Sequence, residues 1–543
     1  MLSHNGPLQR YSMTSSTNLD APPTGAGQQR LVRAGIPWTA IAFLGLTAVI
    51  SLLWSHSRLM WNDEFLSLWT DNAPSIGQVI QIQRTCPISL DPLFYHALAH
   101  ADIRLFGSGA LAIRLPALLG YLLMQLCLFL FVRRVASERA AVFAMAFPAL
   151  TTSLYYSVEG RPYGLMLGLF ALTMVSWQSA TRRETGRALA LIALAVSLAL
   201  TLNTHYYGIL LLVPLSIAEI FRTARRRRLD LPVVASIGMG TAGILFTVPF
   251  MKAAALYHSH YYNVVADSPR TIAQVYPELL SSYSRMPTQL DGEIGRALFL
   301  LLAFVTLLGC IRQWRAGTLQ LPQAEAVFLI ALAALPFFGF LMARFVTHAL
   351  ELRFVLGAIP GISALAAIGL SSFFSRKRAG NLALLALFAA IALAGIRHIH
   401  EERTATRETM SSMAVSPALK AALLAGSDQR LYFEQLKLFA VASYYEPDPE
   451  LRAAMALTFS SNQEMSAAHT DTNSLTAMNM RRFTHFIIVP YDTLATQPGD
   501  TIFVTFHQRS DNWVPRSTAN PFAPARQIGP AFGGDAESIR FLP

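Results

Sequence analysis

The chain has 543 residues, of which 53% are hydrophobic and only 14% are charged, and its formal net charge is +11. Soluble domains carry about 25% charged residues, so this composition excludes a wholly soluble protein and indicates a polytopic membrane protein with a smaller polar part. The positive charge lies in short loops between apolar runs, which is typical of membrane orientation signals and not of nucleic-acid binding. The cysteines Cys86, Cys127 and Cys310 show no disulfide or metal-ligand spacing.

Residues 1–35 are polar and rich in Ser, Thr, Pro and Gly, and we expect them to be disordered on the cytoplasmic side. The first apolar run, Ile36 to Trp54, predicts a retained helix because no small-residue cleavage site follows it. Ten further runs approach the roughly 20 residues that cross a bilayer. They lie at about 111–132, 140–156, 162–179, 187–203, 206–221, 231–252, 294–311, 324–343, 354–374 and 380–396. The sequence therefore predicts eleven spans within a transmembrane domain at 36–396.

Arginine and lysine are concentrated in alternate loops. These loops contain Arg133-Arg134, Arg182-Arg183, Arg225–Arg228, Arg312 with Arg315, and Arg376-Lys377-Arg378. The positive-inside rule places them, together with the N-terminus, in the cytoplasm. The loops at 55–110, 157–161, 253–293 and 344–353, and all residues after about 397, then face outward, to the periplasm if the membrane is the inner membrane of a Gram-negative bacterium.

The tail 397–543 is polar and predicts a soluble extracytoplasmic α/β domain. Strand-like runs occur at 431–433, 486–489 and 502–506, and helix-like runs at 416–424 and 434–445. In the loop 55–110, the segments 63–70 and 92–105 have helical apolar spacing but are too short to span, so they predict amphipathic helices at the membrane surface.

Two adjacent carboxylates follow the first apolar run in the sequence Trp61-Asn62-Asp63-Glu64. A carboxylate near hydrocarbon is costly, so such groups usually have a partner or a function. The ordinary alternative is a solvated loop start that the tryptophan anchors at the interface.

Other polar residues cluster at the outward ends of the predicted spans. They are Arg84, Asp91, Glu159, Arg161, Tyr163, His205, Tyr206, His258, His260, Glu351 and Arg353. A guanidinium matches phosphate geometry, and a carboxylate nearby can take a proton from a hydroxyl. Ordinary roles stay open: an exposed ion pair between Glu159 and Arg161, an aromatic belt at His205 and Tyr206, and a snorkelling Arg353. His258 and His260 would be half of a metal site at most.

The motifs in this order resemble those of the GT-C glycosyltransferases that use polyprenyl-phosphate sugars, in particular the protein O-mannosyltransferase relatives and the lipid A aminoarabinose transferases. They span residues 36–375 and read W-N-D-E, D-P-L-F-Y-H-A-L, A-I-R-L-P-A-L, V-E-G-R-P-Y-G-L, T-H-Y-Y-G and E-L-R-F-V-L-G-A-I-P-G. The resemblance implies a polytopic GT-C-like helical fold.

The resemblance also implies roles for the residues. Asp63 matches the catalytic base and Glu64 is its companion. Arg161 and Arg353, with Arg84 as a further candidate, would hold the donor phosphate. The substrate cavity would include Asp91, Glu159, Tyr163, His205 and Tyr206. The family commonly has Tyr where this chain has Phe354, and often His or Pro where it has Asp91. Asp91 is therefore either a second carboxylate of the site or a helix cap before Pro92.

We therefore expect a glycosyltransferase that moves a sugar from a polyprenyl-phosphate donor to a hydroxyl acceptor on the outer face of the cytoplasmic membrane, with inversion. No cofactor is firmly predicted, although a divalent metal is left open. The alternative is a lipid or glycan transporter or flippase, which predicts charges near the bilayer midplane and internal repeats. An assembly protein that kept the scaffold and lost the activity is a third option. The sugar and the oligomeric state are left open, as are the role of the tail and whether the acceptor is a lipid, a glycan or a protein.

Overall fold

A computed structural model describes residues 35–182, 186–257, 270–283, 289–347, 350–374, 376–415, 417–424, 429–468, 470–494, 502–507, 525–530 and 536–541. The disorder predicted for 1–35 falls almost entirely outside these residues, and so do His258 and His260.

Most of the first 412 residues form helices. They are α1 (Trp38–Ser57), α2 (Asn62–Asp71), α3 (Ile76–Thr85), α4 (Leu93–Phe106), α5 (Ala110–Arg133), α6 (Glu138–Ala146), α7 (Tyr163–Arg182), α8 (Arg187–Leu202), α9 (Leu212–Arg226), α10 (Leu231–Ala242), α11 (Val248–Ala254), α12 (Arg270–Leu280), α13 (Gln289–Arg315), α14 (Gln323–Ala333), α15 (Leu335–Met342), α16 (Ala358–Gly369), α17 (Ser371–Phe374) and α18 (Lys377–Ser412). The predicted boundary at residue 397 lies inside α18.

Five helices of the described chain are long and apolar enough to cross a membrane, and two bent pairs would raise the number to seven if each pair is one span. The predicted number of eleven spans stays a prediction. Each of the two bends falls within one predicted run. The two helices of a pair meet at a bend of 43° in the run 231–252 and of 51° in the run 324–343. Pro249 and Pro336 lie at these breaks, where proline removes a helical hydrogen bond and clashes with the preceding turn. The run predicted at 140–156 is also interrupted, because α6 ends at Ala146 and two 3₁₀ turns follow.

Helices α5 and α7 pack with their backbones in direct contact. A Cβ atom at Gly120 would lie 2.3 Å from the Cα of Leu165, and one at Gly168 would lie 2.3 Å from the carbonyl oxygen of Gly120. Small residues at such crossings allow close backbone approach between membrane helices. This contact fixes the start of α7, and with it the preceding turn Glu159-Gly160-Arg161, against α5.

The loop between α1 and α5 contains the two predicted helices, α2 and α4, and a third one, α3, that the sequence reading missed. Most residues of helix α2 are buried. Phe65, for example, is fully buried, and its ring centre lies 5.5 Å from that of Tyr444. The Asp71 carboxylate lies 2.7 Å from Nδ1 of His96, a pair with no exposed surface that joins α2 to α4.

The C-terminal segment, residues 417–541, combines helices with one sheet. Its elements are α19 (Pro417–Leu424), β1 (Leu431–Phe433), α20 (Leu436–Tyr445), α21 (Pro449–Ala454), β2 (Met455–Phe459), α22 (Ser461–Ala468), α23 (Thr472–Met480), β3 (Ile488–Pro490), β4 (Ile502–His507), β5 (Ala525–Pro530) and β6 (Ala536–Phe541). The strand order is β3-β2-β1-β4-β6-β5. Pairing is parallel from β3 to β4, where Leu431 is in register with Met455 and Phe503, and antiparallel around β6.

The C-terminal segment rests on the loop helices α2–α4. The Met60 N–H donates to the Tyr445 hydroxyl at 2.9 Å. The Tyr257 hydroxyl donates to the Pro87 carbonyl oxygen at 2.8 Å, and the Asn479 amide donates to the same oxygen at 3.0 Å. These contacts hold α23 close to the loop that carries Ser89 and Asp91.

Candidate functional site

A cavity of about 520 Å³ lies where the loop helices, the starts of α7 and α16, the two bent pairs and the C-terminal segment meet. Of the ten residues predicted for the site, seven line it: Asp63, Asp91, Arg161, Tyr163, His205, Tyr206 and Arg353. Glu64, Arg84 and Glu159 do not line it. The seven include each charged residue of the described cavity wall, and they come from motifs that are up to 290 positions apart.

Asp63 and Arg353 face each other across the cavity wall. Nη1 of Arg353 lies 3.5 Å from Oδ2 of Asp63, and Nε lies 2.7 Å from Oε2 of Glu351. The guanidinium carbon of Arg353 lies 6.0 Å from the ring centre of Trp61 and 5.9 Å from that of Tyr163, distances within reach of cation–π attraction. Both partners keep some solvent contact, with side-chain exposures of 14% for Arg353 and 21% for Asp63.

Arg161 and Asp91 form a second pair, which is more deeply buried. Nη2 of Arg161 lies 2.7 Å from Oδ2 of Asp91. Nη1 donates to the hydroxyls of Ser89 at 2.9 Å and Ser67 at 3.1 Å. The N-cap of α4 is Pro92, not Asp91, and no side chain makes a capping hydrogen bond there. Of the two roles left open for Asp91, the structure therefore favours a carboxylate of the cavity.

His205 lies beside this pair as a neutral imidazole. Its Nδ1 accepts a hydrogen bond from the Tyr207 N–H at 3.2 Å, so the proton is on Nε2, which is 3.8 Å from Oδ1 of Asp91. The His205 pKa is lowered to about 4, chiefly by burial; the charge of Asp91 opposes this shift, and the charges of Arg161 and Arg353 reinforce it. Phe354 stacks on Tyr207 with ring centres 4.3 Å apart, so the phenylalanine that departs from the family pattern completes an aromatic wall.

Glu64 points into the protein interior and is completely buried. Nε and Nη2 of Arg114 bind its two oxygens at 2.7 and 2.8 Å, and the Gly160 N–H donates to Oε1 at 2.7 Å. Burial alone would raise the Glu64 pKa, but the charges of Arg114 and Arg58 and these hydrogen bonds lower it to about 2.

Arg114 lies in the motif A-I-R-L-P-A-L, but no role was predicted for it. A signal was available, because an arginine inside an apolar run needs a partner.

Glu159 and Arg84 lie apart from the cavity surface. Glu159 is 1% exposed, and its Oε2 has no hydrogen-bond partner among the described residues. Burial raises its pKa to about 7, which the charge of Arg58 opposes and that of Glu64 reinforces. Arg84 is exposed on α3, where it is not placed to contact a ligand in the cavity.

Two further walls complete the cavity. The bent pairs contribute a mainly apolar wall that includes Ile244, Met251, Met342 and Val346. The C-terminal segment contributes Leu436, Thr470, Thr472, Asn473 and Thr476. The sequence analysis predicted neither wall. The C-terminal residues form no motif that could have indicated that they line a cavity.

The charged side chains among the described residues of the cavity wall are two carboxylates and two guanidinium groups, so they carry no net charge. Both carboxylates on its wall, Asp63 and Asp91, are already paired with an arginine. Within the described ranges, no group of three His, Cys, Asp or Glu side chains is arranged to hold a metal ion.

Comparisons with known proteins find a family match over part of the chain and solved structures with a similar fold. The model of the dolichyl-phosphate-mannose-protein mannosyltransferase family matches residues 91–251. No curated protein sequence matches the chain. The structure of ArnT from Cupriavidus metallidurans in the apo state aligns with 92% of this chain and 97% of its own at 12% identity and a TM-score of 0.57.

Two other solved structures are similar. ArnT from the same organism bound to undecaprenyl phosphate aligns with 94% of this chain and 99% of its own, at 12% identity and a TM-score of 0.57. The archaeal oligosaccharyltransferase AglB from Archaeoglobus fulgidus, in complex with an inhibitory peptide and a dolichol-phosphate, aligns with 85% of this chain and 69% of its own, at 12% identity and a TM-score of 0.43. The ArnT-like fold and the family match confirm the resemblance to the GT-C superfamily.

Proposed function

We propose that this GT-C-type membrane glycosyltransferase takes its sugar from a polyprenyl phosphate and transfers it, with inversion, to an acceptor hydroxyl that Asp63 deprotonates. The observation that carries the proposal is a partly exposed carboxylate, Asp63, that is paired with Arg353 and lies beside a second arginine, Arg161, in a cavity that also has an apolar wall. Each part of a lipid-linked sugar phosphate then has a matching surface.

The donor phosphate is assigned to Arg161 and Arg353. Both guanidinium groups line the cavity, and phosphate is the anion that their planar donors match. The polyprenyl chain is assigned to the apolar wall of the bent pairs. The ArnT structure that contains undecaprenyl phosphate supports this carrier class for a chain of the same fold.

The reaction is a single displacement. Asp63 accepts the proton of the acceptor hydroxyl, and the oxygen attacks the anomeric carbon from the face opposite the phosphate. As the new C–O bond forms, the bond to the phosphate oxygen breaks, and the electron pair leaves with the polyprenyl phosphate. Arg161 and Arg353 stabilise the phosphate charge as it develops, and the anomeric configuration inverts.

Glu64 is proposed as a positioning residue. Its carboxylate joins α2 to Arg114 on α5 and to the backbone of Gly160, one residue before Arg161. One buried group thereby fixes the distance between the start of α2, which carries Asp63, and the arginine of the following motif.

The arginine distribution supports a cytoplasmic N-terminus and a cavity on the outward side of the inner membrane. A reporter that is active only outside the cytoplasm, fused after Pro543, tests this orientation and is expected to be active. Activity of a cytoplasmic reporter alone at that position would reverse the proposed topology.

A transporter is the second candidate, because the substrate sites of transporters are typically formed by interrupted helices and two bent helix pairs line this cavity. The residues that these pairs contribute to the described cavity wall are uncharged, namely Ile244, Thr247, Met251, Ala254, Met342, Val346 and Thr347. The charged residues come from the loop ends instead, which favours transfer chemistry.

The test uses purified protein in nanodiscs with a panel of undecaprenyl-phosphate sugars and extracted envelope glycans and glycolipids. The readout is the release of undecaprenyl phosphate, with its binding measured separately. General-base catalysis contributes about 10²–10⁴-fold, so Asp63→Asn is expected to lower turnover at least about a hundredfold while undecaprenyl phosphate still binds. Asp102→Asn, on α4 and away from the cavity wall, is the matched control. Near wild-type turnover of Asp63→Asn would remove Asp63 as the base, and lipid movement without release of undecaprenyl phosphate would favour the transporter.

A further inference from the structure

The three walls of the cavity differ in chemistry, and one of them has no role in the proposed reaction. Arg161 and Arg353 form a charged wall together with Asp63 and Asp91, and the bent helix pairs form an apolar one. The third wall belongs to α23 and the turn before it. Its polar members are Thr470, Thr472, Asn473 and Thr476.

We propose that this third wall, hereafter the C-terminal wall, is the acceptor subsite and that it selects a neutral sugar as the acceptor. The inference rests on the proposed function. The phosphate and the polyprenyl chain of the donor account for the charged and apolar walls, which leaves the C-terminal wall for the second reactant. Hydroxyl and amide side chains both donate and accept hydrogen bonds, as the hydroxyls of a sugar require.

The C-terminal wall is built without a net charge. Its residues in the described part of the chain are threonines, an asparagine and Leu436. Asp471, although it lies between Thr470 and Thr472, is buried and absent from the cavity wall. Among the described residues of this wall, a phosphorylated acceptor would find no cation, so the wall favours an uncharged one.

The first N–H groups of α23 could still attract an anion, but a carboxylate already accepts hydrogen bonds from two of them. Glu464 is 3% exposed, and it accepts hydrogen bonds from the N–H of Asn473 at 3.2 Å and of Ser474 at 2.8 Å. The partial positive charge of the helix end is therefore neutralised inside the segment. What remains facing the cavity is hydroxyl and amide chemistry.

The C-terminal wall is also held at a fixed distance from the catalytic loop. Tyr257 and Asn479 both donate to the Pro87 carbonyl oxygen, and the Asn479 amide also donates to the Tyr257 hydroxyl at 3.0 Å. Pro87 lies two residues before Ser89, which binds Arg161. A sugar bound to α23 would therefore be presented to a preformed site, an arrangement that reduces the entropic cost of binding.

Wild-type protein in nanodiscs tests the selection with two sets of probes. One set contains alkyl glucosides, galactosides and mannosides, and the other contains the same compounds as 6-phosphates. The proposal expects at least one neutral glycoside to bind more tightly than its 6-phosphate in the presence of undecaprenyl phosphate. Tighter binding of the phosphorylated members throughout would overturn it.

A pair of variants tests the location. In Thr472→Val with Thr476→Val, two hydroxyls of one helix face are replaced by methyl groups of similar size, and the neutral glycoside is expected to bind roughly tenfold more weakly. Thr484→Val is the matched control, because the Thr484 hydroxyl bonds the carbonyl four residues earlier at 2.8 Å, as that of Thr476 does, but lies outside the cavity.

The donor carrier separates the remaining outcomes. The double variant should bind undecaprenyl phosphate and undecaprenyl phosphoglucose as the wild type does. If it loses affinity for the phosphoglucose only, the wall holds the donor sugar and the acceptor assignment is wrong. If the wild type fails to bind undecaprenyl phosphate at all, the proposed function fails and the inference falls with it.

Discussion

Replacing Glu64 by glutamine tests whether this carboxylate is structural, because the change keeps the shape and removes the charge. The Glu64 pKa is lowered from 4.5 to about 2 in the folded protein. The stability that this difference supplies is fully present above pH 4.5 and is lost as the pH falls through about 2. The difference between the two pKa values corresponds to about 3 kcal/mol of folding free energy at neutral pH. Breaking a buried ion pair by removing one partner typically costs about 3–5 kcal/mol, because the arginines stay behind without a counter-charge.

Thermal unfolding of purified Glu64→Gln at pH 7 measures this cost. With an unfolding entropy of about 2.1 cal/mol/K per residue, we expect the melting temperature to fall by roughly 3–4 °C. The matched control is Glu293→Gln, in which the same substitution breaks a pair with Arg296 at 2.7 Å whose side chains are 67% and 53% exposed. Exposed pairs contribute about 0–1 kcal/mol, so this variant should melt near the wild type. Equal melting temperatures for the two variants would refute the structural role of Glu64.

Three further changes test other parts of the site and the fold. Arg353→Ala should weaken undecaprenyl phosphate binding about tenfold to a hundredfold by titration, since charge-assisted contacts contribute about 1.5–3 kcal/mol, whereas the exposed Arg296→Ala should bind normally. Burial raises the pKa of Glu159 from 4.5 to about 7, so its ionisation destabilises the fold as the pH rises through that interval. The melting temperature of Glu159→Gln should therefore rise relative to that of the wild type between pH 5 and pH 8. A difference in melting temperature that stays constant with pH would contradict the raised pKa. Gly168→Ala should destabilise by about 1–3 kcal/mol in thermal unfolding because its Cβ would lie 2.3 Å from a carbonyl oxygen, whereas Gly238→Ala, which meets no atom within 4 Å, should be neutral.

The sequence predicted those features that depend on local pattern. The apolar runs of α1, α5 and α7 and the short strand β1 lie where their periodicity placed them. Seven of the ten polar residues that the motifs identified also came together at the cavity, because they lie at the ends of helices that meet there. The predictions that failed to anticipate the structure concern side chains that meet from distant parts of the chain.

Two cases show why these contacts were not visible. Arg114 binds Glu64 across 50 positions, and an apolar helix offers several faces on which that arginine could have pointed. The C-terminal wall depends on a contact between Asn479 and Pro87, which are 392 positions apart. No periodicity in either segment encodes the docking of one on the other, since docking depends on the shapes of the two folded surfaces.

The division of labour between Asp63 and Glu64 follows from their adjacency on one helix. Successive residues of an α-helix point about 100° apart, so when α2 is buried the two neighbouring carboxylates must meet different surroundings. Glu64 turns inward to Arg114 and is held as an anion, whereas Asp63 stays on the cavity wall with 21% of its side chain exposed. Both lie in the first turn of α2, where the helix dipole favours negative charge. A rigid turn therefore holds the proposed base in reach of Arg353, and the buried neighbour sets its position without touching the substrate.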